Sequence, residues 1–168
     1  PLLSGGTGSV SHTEEVPSFL PDRFEPGTPN IPGILGLHAA LCDLEQTDMG
    51  KLHQHELELT QYFINGLMQM DPSESTLRAI GKHNTIERTS VVSVQTLQTD
   101  MARVAYEMDD TYGIMTRVGL HCAPSAHKTL GTYPEGTIRF SFGPENTHHE
   151  VDLALHALAE ITGSPYHL

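Results

Sequence analysis

Apolar residues recur along this chain with two different periods, and the change of period organises it. Residues 1 to 30 show little periodicity and are interrupted by Pro17, Pro21, Pro26, Pro29 and several glycines, which predicts loops and short extended pieces. Ile34, Leu37, Leu41 and Leu44 then repeat at helical spacing. They predict a helix over about 31 to 48, with Asn30 as its cap and Gly50 as its stop. Cys42 falls within that stripe, so it is expected as a small core residue. Leu52, Leu59, Phe63, Leu67 and Met70 carry a second helix over about 51 to 70, halted by Asp71-Pro72.

Beyond residue 72 the pattern shortens. Residues 89 to 96 are rich in β-branched side chains and alternate, predicting a strand. Residues 99 to 110 predict a helix with Met101, Val104, Ala105 and Met108 inward, and 114 to 118 a further strand. In residues 137 to 142, Ile138, Phe140 and Phe142 share one face while Thr137, Arg139 and Ser141 share the other. Arg139 is thus expected to point away from the core. Thr147 and Glu150 have capping-box spacing before a last helix, with Val151, Ala154, Leu155, Leu158 and Ile161 as its buried stripe and Gly163 as its end. Together these elements predict an α/β fold, a small mostly antiparallel sheet covered on one face by helices. The expected division is residues 1–48 as one piece and 49–168 as a compact domain.

Composition narrows the class of function. Nine Lys+Arg stand against 21 Asp+Glu, a net charge of -12, and such a surface gives nucleic acid no basic face. No apolar run approaches the length of a membrane span, so no membrane partner is expected. Cys42 and Cys122 are the two cysteines, too few for a disulfide framework, and a working thiol suits the cytoplasm. Eleven histidines raise the question of a metal. His53 and His55 diverge on a helix, and His149, Asp152 and His156 lack any His-Glu-x-x-His or cysteine-pair frame, so no metal site is expected.

Chemistry concentrates in Arg117-Val118-Gly119-Leu120-His121-Cys122. It sets a thiol beside cationic and imidazole groups, where positive charge favours the reactive thiolate, so Cys122 is the expected nucleophile. Arg139 supplies the fork that binds carboxylates bidentately.

The Arg-x-Gly-x-His-Cys-Ala run from Arg117 to Ala123 resembles the persulfide-carrying segment of cysteine desulfurases, relatives of the class V aminotransferases. Arg23-Phe24-Glu25-Pro26-Gly27-Thr28 looks like that family's Arg-Phe-Glu-x-Gly-Thr loop, and Gly5-Gly6-Thr7-Gly8 like its preceding glycine turn. The resemblance implies a pyridoxal phosphate enzyme of fold type I, in which residues 49–168 are the C-terminal small domain and 1–48 a remnant of the large one. It implies Cys122 as persulfide carrier and Arg139, Arg117 and His121 as substrate-binding residues. By the same resemblance, Thr28, with Gly27, meets the cofactor phosphate of the partner subunit in a homodimer. L-cysteine would be the substrate, alanine the product and a sulfur-acceptor protein a possible partner. The family's Schiff-base lysine precedes the glycine turn, so the chain is expected to be a C-terminal fragment, inactive alone. The rival expectations are a free-standing dimerisation or sulfur-acceptor module, and a selenocysteine lyase or other lyase of the superfamily.

Overall fold

The computed structural model describes residues 5, 6 and 9–165. Thr7 and Gly8 of the glycine turn lie outside the described residues. The chain forms two compact units, residues 1–48 and 49–168.

In the first unit, loops lead into helix α1, Ile31–Gln46. The Asn30 side chain accepts from the Gly33 backbone N–H at 3.1 Å, satisfying one of the free amides of the first turn. The helix begins where its pattern predicts but ends at Gln46 with Thr47 as its cap, and Gly50, expected as its stop, lies inside the next helix, Met49–Met70. The burial of this first helix also differs from expectation. None of its residues is buried, Leu37 and Leu41 are more than half exposed, and Cys42 is only partly covered. Expecting Cys42 in a core is therefore wrong. Among the described residues, those of the buried core all come from 49–168, and none from 1–48 forms a second apolar layer on α1.

The second unit holds helix α2 (Met49–Met70), strands β1 (Leu77–Ile80) and β2 (Val91–Thr96), helix α3 (Met101–Tyr112), strand β3 (Arg117–Gly119), helix α4 (Pro124–Leu130), strand β4 (Thr137–Ser141) and helix α5 (His148–Thr162). The four strands form one antiparallel sheet in the order β1-β2-β4-β3. Helices α2, α3 and α5 bury one face of it. Leu59, Phe63, Ile64 and Leu67 of α2, Val104 and Met108 of α3, and Val151, Leu155 and Leu158 of α5 pack on Leu77, Val92, Val94, Ile138 and Phe140 of the sheet. The Phe63 ring lies 4.8 Å from that of Phe140 and 5.3 Å from that of Phe142. This is the α/β layering the sequence predicts. Among the described residues, no helix is long and apolar enough to cross a membrane.

The local signals act as expected at both ends of α5: Thr147 and Glu150 make the reciprocal capping box, and Gly163 closes the helix in the left-handed region. Ala105 of α3 and Ile161 of α5, both expected inward, are only half-buried at the edge of the core. Strand β3 starts later than residue 114. Helix α3 runs on to Tyr112, Gly113 turns it, and Ile114 returns its N–H to Met108 at 2.8 Å, so 113–114 belong to the helix end. His55 is a structural residue, bonding the Asn146 carbonyl at 2.9 Å through Nε2.

Candidate functional site

The uncovered face of the sheet carries the chemistry. In the register of β3 and β4, Arg117 sits directly opposite Arg139, and Gly119 opposite Thr137. Two like charges opposed across strands repel unless an anion lies between them. Arg139 is half-buried, and its Nε–H is enclosed with no hydrogen-bond partner among the described atoms. An enclosed guanidinium donor left unpaired is costly, and a carboxylate would satisfy it.

Cys122 stands just beyond β3. The Ala123 N–H closes a turn onto the Leu120 carbonyl at 2.8 Å, and its two central residues, His121 and Cys122, have φ of 49° and 58°. Positive φ at both central positions is the backbone of a primed turn, usually built from Asn and Gly. The turn leaves Cys122 exposed, with Sγ 4.0 Å from Arg117 Nη2. The guanidinium is thus placed to pair with a thiolate.

His121 folds back the other way. Its Nε2 meets Thr137 Oγ1 at 3.1 Å, and its ring centroid lies 5.7 Å from that of His127. Burial, then the charges of Arg139 and His127, and to a smaller degree Arg117, push its pKa below the usual imidazole value, against the contact with Thr137. His121 is therefore neutral at pH 7, and the cation beside the thiol is Arg117, which corrects the expectation that both favour the thiolate. The same ring explains why Thr137, expected on the open face with Arg139, is buried: His121 covers it.

Sequence reasoning missed two supports of this site. Gly136, with φ of 83°, passes so close to the start of the turn that an added Cβ would lie 2.3 Å from the Gly119 backbone. Its carbonyl accepts from Gln95 Nε2 at 3.3 Å. The second is α4, whose Pro124 at the start and Gly131 at the end are the signature of a short helix. It brings His127 under His121.

Gly27 and Thr28 belong to the other unit. Gly27 has φ of 88°, and a Cβ on Gly6 would fall 3.7 Å from Gly27 Cα, so the described part of the glycine turn runs against this loop. Thr28 is exposed. A left-handed glycine followed by an open hydroxyl suits a phosphate oxygen. Lys82 is paired with Glu87 at 2.9 Å, and Lys128 lies 5.1 Å over the Tyr133 ring. Lys128 sits on α4, after Cys122. Among the described residues, no group of three or more His, Cys, Asp or Glu is gathered as for a metal.

The description of class-V aminotransferases matches residues 1–154. The chain belongs to that family. Class-V aminotransferases are pyridoxal phosphate enzymes, and relatives of this chain include probable cysteine desulfurases of Pyrococcus abyssi, 34% identical over 167 residues, and Methanothermobacter thermautotrophicus, 32% identical over 164. These alignments cover 98% and 96% of the class-V chain described here, but only 39% and 40% of the relatives. The chain thus spans about two fifths of their length. Among solved structures, an apo cysteine desulfurase from Thermococcus onnurineus NA1 is similar with a TM-score of 0.73 and 34% identity, over 85% of this chain and 34% of that one. A cysteine desulfurase from Escherichia coli, crystallised as an S-sulfonic acid, gives 0.67 and 26%, over 94% and 37%.

Proposed function

We propose that this chain is the C-terminal part of a cysteine desulfurase, and that Cys122 receives sulfur from L-cysteine as a persulfide. The observation that carries this reading is the exposed Cys122 thiol 4.0 Å from Arg117, on the open sheet face where Arg117 and Arg139 are directly opposed. Arg139 binds the substrate carboxylate through its fork and so fixes the amino acid relative to the thiol. Arg117 pairs with Cys122 in its thiolate form. His121, neutral, orients the turn rather than supplying charge.

The sulfur transfer balances without an external oxidant. Cys122 Sγ, as thiolate, attacks the substrate sulfur, and an S–S bond forms as the substrate Cβ–S bond breaks. The electron pair of the broken bond leaves on carbon, which takes up a proton to become the methyl group of alanine. The substrate's thiol hydrogen remains on the outer sulfur of the persulfide. Pyridoxal phosphate, when bound, supplies the electron sink that loosens the bond to sulfur. Thr28 and the Gly27 backbone would hold its phosphate, across the subunit boundary of a homodimer. An acceptor protein then takes the sulfur from the exposed turn, in the reducing cytoplasm.

The test is made in the full-length enzyme. Alanine release from L-cysteine should require pyridoxal phosphate and fall to background in Cys122→Ala, whereas turnover that survives this substitution would remove the persulfide role.

A further inference from the structure

The turn that presents Cys122 is conformationally expensive. A non-glycine residue in the left-handed region crowds its Cβ against the following carbonyl, and here two such residues follow one another. Such a conformation persists only where its surroundings fix it. Cys122 itself is exposed and offers no anchor. The anchors are on the neighbouring side chain.

His121 is held at one edge by Thr137 and backed by His127. The centroid distance of 5.7 Å, with planes tilted by 46°, lies within the range of packed aromatic pairs. His127 is itself buried and fixed. Its Nδ1 lies 2.7 Å from Thr132 Oγ1, and that hydroxyl reaches the His127 carbonyl at 3.4 Å. Thr132 is fully buried, and its N–H also bonds the His127 carbonyl, at 2.9 Å. The ring therefore stands on a rigid base at the end of α4. None of the roles proposed above for Arg117, Arg139, His121 and Cys122 uses it.

We propose that His127 is a positioning residue for the Cys122 thiol: its buried ring backs that of His121 and thereby holds the left-handed His121–Cys122 turn that sets the thiol beside Arg117. It touches neither substrate nor cofactor and acts through His121. Its consequence for sulfur transfer rests on the function proposed above, whereas its effect on the thiol does not.

The experiment uses the full-length enzyme in a Cys42→Ser background, so that Cys122 is the thiol read in this part of the chain. His127→Leu keeps the bulk and removes the ring, and His127→Phe keeps a ring while leaving the Thr132 hydroxyl its carbonyl acceptor. His127→Leu should slow single-turnover persulfide formation on the order of tenfold or more, the scale of a small misplacement of a reacting group. KM for L-cysteine should stay within about twofold, because Arg139 is untouched. His127→Phe should recover most of the loss. The alkylation rate of Cys122 by iodoacetamide, read without cysteine, should follow the same order. Equal rates in His127→Leu and its parent, or a Phe variant no better than Leu in both readouts, would overturn the proposal. A parent enzyme that alkylates at Cys122 in the stated order but forms no persulfide there would refute the function proposed above and leave the positioning role standing.

Discussion

Arg139 and Arg117 face each other across the last two strands, and their separate tasks give separable predictions. If Arg139 grips the carboxylate with its fork, Arg139→Lys keeps the charge but loses the paired geometry, so KM for L-cysteine should rise about tenfold or more with kcat changed much less. Steady-state kinetics of the full-length enzyme decide this, and an unchanged KM would separate Arg139 from substrate binding. His121 gives a prediction in pH. Burial and the cations Arg139 and Arg117 with His127 lower its folded pKa, so below the usual imidazole range the unfolded chain binds more protons than the folded one. Its contribution to stability is intact above about pH 6.5 and is lost as pH falls through that value toward the folded pKa. The drop in Tm on acidification should therefore shrink in His121→Gln, and a drop of the same size would assign it to other groups. The placing of Arg117 and Arg139 on strands, with Cys122 just beyond the first of them, was legible in the sequence from alternation and short spacing. His127 and Gly136 were not, because a ring contact and a close backbone approach leave no periodic pattern along the chain.

Helices α2 and α5 meet through a glycine. A Cβ on Gly66 would lie 2.3 Å from Leu155 Cδ1, so Gly66→Ala should overpack this contact and cost about 1–3 kcal/mol in denaturant unfolding. No loss would show that the two helices can slide apart freely. Long amphipathic elements of this kind were readable from their apolar period, and α2, α3 and α5 are close to where that period puts them. Short elements were not. Strand β1 has four residues, of which Leu77 and Ala79 face inward, too little alternation to stand out. Helix α4 has seven and depends on Pro124 and Gly131 rather than on a stripe. For α1 the period gave the helix but not its burial, because burial depends on what lies opposite, and a one-dimensional pattern carries no record of that. Asp71, read only as part of a helix stop, organises the link to β1. Burial raises its pKa, but the Leu77 and Thr76 amides and the Ser73 hydroxyl outweigh it and hold the carboxyl far below the usual range. Asp71→Ala should cost about 1–3 kcal/mol by leaving those amides unpaired, and the wild-type contribution should vanish only in strong acid, as the folded carboxyl protonates. Denaturant titrations of both proteins across acidic pH measure it.

For the molecule as a whole, one layered unit holds the sheet, its helical cover and the open face bearing Arg117, Cys122 and Arg139. An acidic chain of net charge -12 thus sets two opposed guanidiniums on one strand pair, with an exposed thiol in the turn just beyond it. That is an arrangement suited to a small anionic substrate rather than a nucleic acid. The central claim is that sulfur comes to rest on Cys122. The most direct measurement treats the full-length enzyme with L-cysteine, without reductant or acceptor, and reads the mass of the Cys122 peptide. The account predicts a gain of one sulfur atom on that peptide, absent when the substrate is alanine. A Cys122 peptide of unchanged mass while alanine is released would contradict it.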